Sequence, residues 1–403
     1  MCEARYEHST VNIKPGQWLG MLCVLLGFAC AQAYAGTAPG IAVKGNQLVT
    51  TTAGTLGDQN VAANTPVVLR GINITGSEYE CLAGDSVWDS SSLPSSASTT
   101  DYQTVINGIL SWHANVVRIP LNEDCWLDVP SSNKPPAATS GANYSGPIGQ
   151  FVQLATQSGL IVEVDLHVGG GPYLAKNGNN VDSFPAMDTN YSQTFWVSVA
   201  NYFKSNPSVI FNLTNEPEFS SDSSWSCYLN GGCSTKGLPN SRSKNGGSYY
   251  WTVQGTQSVV TAIRNTGATN PIIIAGINYS NQLDEWLSYV PTDPLKQIIA
   301  GVHIYFDGIA CENSTCWTTQ FGAIQIAGYP VVVDETGEFD CTGKSETTLT
   351  AWADAQSPQI GYWFWAFTDQ SGCSEPALLS NNQTFAPSTG YGAFAMQHLQ
   401  GIQ

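Results

Sequence analysis

Positive charge is what this 403-residue chain has least of. Fourteen Lys and Arg stand against 31 Asp and Glu, for a formal net charge of −17. Such a surface repels phosphate backbones, which excludes nucleic acid as a partner. Cys-x2-Cys and His-x3-His clusters are also missing. That removes the usual zinc-type spacings, and no metal or organic cofactor is implied. No internal repeat, charge block or Pro/Ser/Thr linker marks off a second module. The apolar run from Trp18 to Cys30 falls short of the ~20 residues that span a bilayer. Lys14 precedes it and the small-x-small sequence Ala33-Tyr34-Ala35 follows, so residues 1–35 read as a secretory signal peptide. The expectation is a single mature domain over 36–403, secreted (extracellular or periplasmic), monomeric, and free of the membrane once the signal is cleaved.

Gly, Ser, Thr, Asn and aromatic residues are plentiful, and such a surface suits a neutral polar ligand such as a sugar. Three of the eleven cysteines fall in the leader. The other eight form an even set, as expected in an oxidising compartment. Chain order suggests Cys81 with Cys125, Cys227 with Cys233, Cys311 with Cys316 and Cys341 with Cys373, because each pair joins one loop or two neighbouring loops.

Eight near-continuous apolar runs recur: Val67 to Asn73, Val116 to Pro120, Ile161 to His167, Val209 to Asn212, Ile272 to Ile274, Ile299 to His303, Val331 to Val333 and Tyr362 to Trp365. Runs of this kind are what parallel strands need. The segments between them have helical character, with Val105, Ile109 and Trp112 on one face, and similar patterns over Tyr249 to Thr266 and Glu346 to Ala355. Strand-helix alternation repeated eight times predicts an α/β fold, a (β/α)8 TIM barrel with long disulfide-braced loops on its catalytic face. Ahead of it, Ile41-Ala42-Val43 and Gln47-Leu48-Val49 flank Lys44-Gly45-Asn46, a hairpin expected to plug the N-terminal end.

A barrel enzyme draws its working residues from the C-terminal ends of several strands. Here those ends carry Arg118, His167, Asn215 with Glu216, His303 with Tyr305, Glu335 and Trp365. Pro217 cannot extend a sheet ladder and holds Glu216 at the strand end. Two carboxylates on two strand ends suit glycosidic bond hydrolysis.

The strand-end sequences resemble glycoside hydrolase family 5, among the retaining (β/α)8 glycosidases of the cellulase type. The matching stretches are Leu69-Arg70-Gly71-Ile72-Asn73, Asn115 to Pro120, Asp165-Leu166-His167, Asn215-Glu216-Pro217, His303-Ile304-Tyr305, Glu335-Thr336-Gly337 and Trp365. The resemblance implies Glu216 as acid/base and Glu335 as nucleophile. It places Arg118, His167, Asn215, His303, Tyr305 and Trp365 around the sugar. The implied activity is an endo-β-1,4-glucanase acting on a polysaccharide or oligosaccharide. Mannan, xylan and exo-acting specificities stay open, as does an inactive carbohydrate-binding barrel. Glu338 is a rival nucleophile, and Asp334 is expected to alternate outward. Arg118 could serve as a structural partner of Asp165, and His167 and Trp365 could be interior residues. Trp88, Trp126, Trp225 and Trp317 would either line a sugar track or pack beneath the loops.

Overall fold

The computed structural model describes residues 36–402, apart from 95–96, 130–134, 170–185, 218–223, 238–248, 309–310 and 370–375. The signal peptide and Cys373 lie outside the described residues. Eight parallel strands follow one another around a closed barrel. They are β1 (Arg70–Asn73), β2 (Val116–Asn122), β3 (Ile161–Val168), β4 (Val209–Asn212), β5 (Ile272–Ala275), β6 (Ile298–Ile304), β7 (Val331–Thr336) and β8 (Gly361–Phe364). β8 pairs with β1 and closes the ring, Trp363 opposite Gly71. The fold is the expected (β/α)8 barrel.

Side chains alternate across each strand, and the barrel sorts them by depth. At the N-terminal end Leu69, Val116, Ile161, Ile210, Ile273, Ile299, Val332 and Trp363 fill the interior as one apolar layer. Their neighbours Ile72, Val117, Val162, Phe211, Ile274, Val302 and Val333 point outward into the larger core under the helices. The hairpin of Ile41–Lys44 and Gln47–Thr50 forms as expected and packs Ile41 and Leu48 on the apolar layer. It plugs that end. Pro66–Val67 joins the hairpin sheet rather than the barrel.

Helix Thr99–Ser111 buries Val105 and Ile109, and a reciprocal capping box between Ser98 and Asp101 starts it. The helix expected over Tyr249 to Thr266 is shorter. Tyr249–Thr252 instead pairs with Ser234–Gly237 as a two-stranded ribbon, and the helix runs Thr256–Asn265. The aromatic and β-branched residues of Tyr249-Tyr250-Trp251-Thr252 favour a strand once a partner is available. Among the described residues no helix is long and apolar enough to cross a membrane.

Three of the cysteine pairs are bonded as chain order suggested: Cys81–Cys125, Cys227–Cys233 and Cys311–Cys316, with Cα separations of 6.3, 5.8 and 5.5 Å. Cys341 is disulfide-bonded as well.

The seam around β1 tolerates no side chain at Gly71, where a Cβ would meet the carbonyl oxygen of Val116 at 1.9 Å. Gly71→Ala should therefore spread β1 from β2 and cost roughly 2–3 kcal/mol, as overpacking does. Urea unfolding reads this directly, and an unchanged midpoint would contradict so tight a seam.

Candidate active site

Above the apolar layer the barrel interior turns polar. Arg118, Glu163, Asp165, Asn73, Asn212 and Asp334 all point inward and are fully buried. Simple alternation along β7 puts Val332 inward, Val333 outward and Asp334 inward, and would send Glu335 out among the helices. A β-bulge prevents that. Val302 lies opposite Val333, yet the next residue, His303, lies opposite Glu335, so Asp334 is the extra residue. Both carboxylates then face inward, and Thr336 resumes the outward register, where its hydroxyl donates to Glu346. The expectation that Asp334 points outward is thus corrected. Its carboxylate accepts from Asn212 Nδ2 at 2.6 Å. Gly301 on the adjacent strand leaves the room, since a Cβ there would lie 3.0 Å from both Asp334 oxygens.

Arg118 organises this layer. Its Nε donates to Glu163 Oε1 (2.8 Å), and its Nη1 donates to Asn73 Oδ1 (3.1 Å) and to Glu335 Oε1. Its Nη2 donates to Asn215 Oδ1 (2.7 Å) and lies 3.2 Å from Asp165 Oδ2. Burial alone would weaken the guanidinium's hold on its proton, but Asp165, Glu335, Glu163 and Asp334 outweigh it and push its pKa further up. One cation cannot balance so many anions. Burial accordingly raises both Glu163 and Asp165 to about 7. Arg118 is therefore partnered with Asp165 and with the candidate nucleophile at once.

Glu335, 3% exposed, receives a second hydrogen bond from Tyr305 Oη at 2.7 Å. Glu216 has a different environment. Its Oε1 is 2.9 Å from His303 Nδ1. Burial, then the repulsion of Glu335, raise its pKa well above the ordinary carboxylate value. His303 is pushed well below the usual histidine range by burial, then by Arg118, so the ring is neutral. Carboxylate oxygens of Glu216 and Glu335 and a ring nitrogen of His303 lie within 4.8 Å of one another. His167 is 5% exposed, has its Nδ1 3.0 Å from Asp165 Oδ2, and stacks on Trp365 at 5.5 Å; burial lowers it to about 4.

A cavity of about 740 Å³ brings His167, Asn215, Glu216, His303, Tyr305, Glu335 and Trp365 to one surface, with Arg118 directly beneath. Glu338 does not take part. Its carboxylate accepts from the backbone amides of Ser345 (2.9 Å) and Gly343, at the start of helix Lys344–Asp354. The four loop tryptophans settle on burial: Trp88, Trp126, Trp225 and Trp317 are at most 6% exposed. The aromatic walls come instead from Tyr79, Tyr279, Phe339, Tyr305 and Trp365. Tyr79, Tyr279 and Phe339 had no signal in the sequence, since loop aromatics carry no periodicity. Glu163 had one: a carboxylate at an inward position of an apolar strand.

Among the described residues the grouping able to offer ligands to a metal is Glu216, His303 and Glu335. It does not suit a resident ion. The two Glu335 oxygens are taken up by Arg118 and Tyr305, and His303 Nδ1 by Glu216. A cation there would have to displace the guanidinium.

Inward carboxylates at the C-terminal ends of β4 and β7 define a barrel hydrolase, and residues 65–371 match the family model of cellulase (glycosyl hydrolase family 5). The chain belongs to this family. The manganese dependent endoglucanase Eg5A of Phanerodontia chrysosporium is 29% identical over 206 residues, 48% of this chain and 43% of that relative's own length. The fold is shared with the β-glucanase SdGluc5_26A of Saccharophagus degradans (TM-score 0.60, 17% identity, covering 91% of this chain and 94% of the other). It is shared also with the catalytic domain of Thermobifida fusca endoglucanase Cel5A (TM-score 0.53, 17% identity, 90% and 97%).

Because Glu338 caps a helix, Glu338→Ala should cost about 1–2 kcal/mol of stability and still cleave a short aryl glycoside. Thermal unfolding and a chromogenic assay test this together. A stable but inactive variant would return Glu338 to the catalytic pair.

Proposed function

We propose that the protein is a secreted, monomeric endo-β-1,4-glucanase with Glu216 as acid/base and Glu335 as nucleophile. The observation that carries the roles is the asymmetry of the pair. Glu335 is held by a guanidinium and a phenol, which favour the anion. Glu216 is desolvated beside a neutral histidine and keeps its proton. Carboxylate oxygens of the pair lie within 4.8 Å of one another, which suits the close pairing, ~5–5.5 Å, of retaining enzymes.

In the first step Glu335 attacks the anomeric carbon, and Glu216 passes its proton to the leaving oxygen. A glycosyl ester forms as the glycosidic bond breaks. Glu216, now a carboxylate, takes a proton from water, and the water oxygen displaces Glu335 on the same face as the departed group. Asn215 orients for the 2-hydroxyl by elimination. Arg118 can only donate, so it claims Asn215 Oδ1 and leaves the Nδ2 hydrogens for the sugar. His303 steers the Glu216 proton, and His167 and Trp365 give the sugar ring a floor. Support for the substrate comes from the relatives. Endoglucanases and a β-glucanase are among the named ones, and a structure of SdGluc5_26A contains cellotetraose.

A panel of soluble β-1,4-glucan, mannan, xylan and β-1,3-glucan tests the substrate. The glucan should lose viscosity faster than it gains reducing ends, and proton NMR should show the β-anomer first. A preference for mannan would reassign the specificity, and the α-anomer first would exclude the paired-carboxylate geometry.

The roles separate by mutation and by pH. Glu335→Gln should be inactive on every substrate. Glu216→Gln should lose polysaccharide hydrolysis but keep the glycosylation step on aryl glycosides whose leaving group needs little protonation. Since the Glu216 pKa is raised, its proton stays on past the ordinary ~4.3 of glutamate and is lost as pH rises, which sets the alkaline limb. In Glu216→Gln the glycosylation rate on such an aryl glycoside should show no alkaline limb. A limb that survives would move the acid role to another group.

A further inference from the structure

Phe339 is 45% exposed, one of five large hydrophobic residues on the described surface and, among those five, the one that lines the catalytic cavity. Its ring stacks on Tyr305 with centroids 5.7 Å apart and planes 28° from parallel. Tyr305 is the residue whose hydroxyl donates to Glu335. The backbone leading into Phe339 is held at two successive residues. Glu338 is tied to the helix amides of Gly343 and Ser345. Gly337 sits against Tyr305 Cε1 and Pro376, each 3.1 Å from where its Cβ would be. An apolar ring left this open at the cavity has a face free for a ligand, and a loop held through Gly337 and Glu338 spends little entropy on keeping it in place.

We propose that Phe339 is a sugar-stacking platform beside the nucleophile, and that it selects an all-equatorial β-linked pyranose chain. This rests on the β-glucan reading above. In such a chain every hydroxyl is equatorial, so the axial C–H bonds make two apolar faces that lie flat on an aromatic ring. An axial hydroxyl, as at C2 of mannose, spoils one face. With Tyr79 and Trp365 grouped around His167 and Phe339 on Tyr305, the cavity has two separate aromatic groups, of which the second is set by this loop. A phenyl ring neither gives nor takes a proton, so the contribution of Phe339 belongs to binding.

The test compares the wild type with Phe339→Ala and Phe339→Trp on cello-oligosaccharides of increasing length and on an aryl cellobioside. For oligosaccharides long enough to reach the ring, Phe339→Ala should raise KM about fivefold to tenfold, with kcat within about twofold. The loss should grow with chain length, and Phe339→Trp should restore the long substrates. A loss of equal size at every length overturns the platform. So does a fall in kcat at constant KM, which would mean that Phe339 acts by bracing Tyr305 against the nucleophile. A wild type that cleaves no cello-oligosaccharide at all would overturn the substrate reading instead.

Discussion

One buried guanidinium holds the catalytic end of this barrel in register. Arg118 leaves β2 and reaches Asn73 on β1, Glu163 and Asp165 on β3, Asn215 after β4 and Glu335 on β7. Burying a charge is costly unless it is paired and every proton is used. Here each of the three nitrogens has an acceptor. The fork is rigid and planar, so the groups it touches inherit its geometry. The placement of the Glu335 carboxylate and the orientation of Asn215 both follow from this single side chain.

Polarity is layered along the barrel axis for the same reason. The hairpin plug and eight apolar side chains close the N-terminal end, so no water enters from below. The polar layer rests on that floor, where burial raises Glu163 and Asp165 to about 7 despite the opposing pull of Arg118. Low polarity around the site strengthens each remaining interaction. It also gives two chemically identical glutamates different surroundings, Glu335 held by Arg118 and Tyr305 and Glu216 pushed toward its protonated form by burial and by Glu335.

Family membership and local geometry answer different questions here. The family model establishes membership of glycosyl hydrolase family 5, while the solved structures, at 17% identity, speak for the fold. The glycan is decided by the cleft walls. Those walls are loop residues such as Phe339 and Tyr279, which neither the barrel nor the catalytic pair dictates.

The eight strands, the plug and the strand-end residues were legible in the sequence, because parallel strands need unbroken apolar runs and those runs stop where chemistry begins. Three of the four expected cysteine pairs were legible because each joins one loop or two neighbouring loops. Register was not. Glu335 faces the cleft only because Asp334 is extruded as a bulge, and alternation alone points it the other way. Burial was not legible either. Trp88, Trp126, Trp225 and Trp317, which could have lined the cleft, are buried instead, the last three on helices, and Glu338, close to Glu335 in sequence, became a helix cap. The sequence by itself determined which side chains reach the open end of the barrel. Tertiary structure decided which of them face one another, since that depends on contacts between strands hundreds of residues apart, and local pattern carries no record of those contacts.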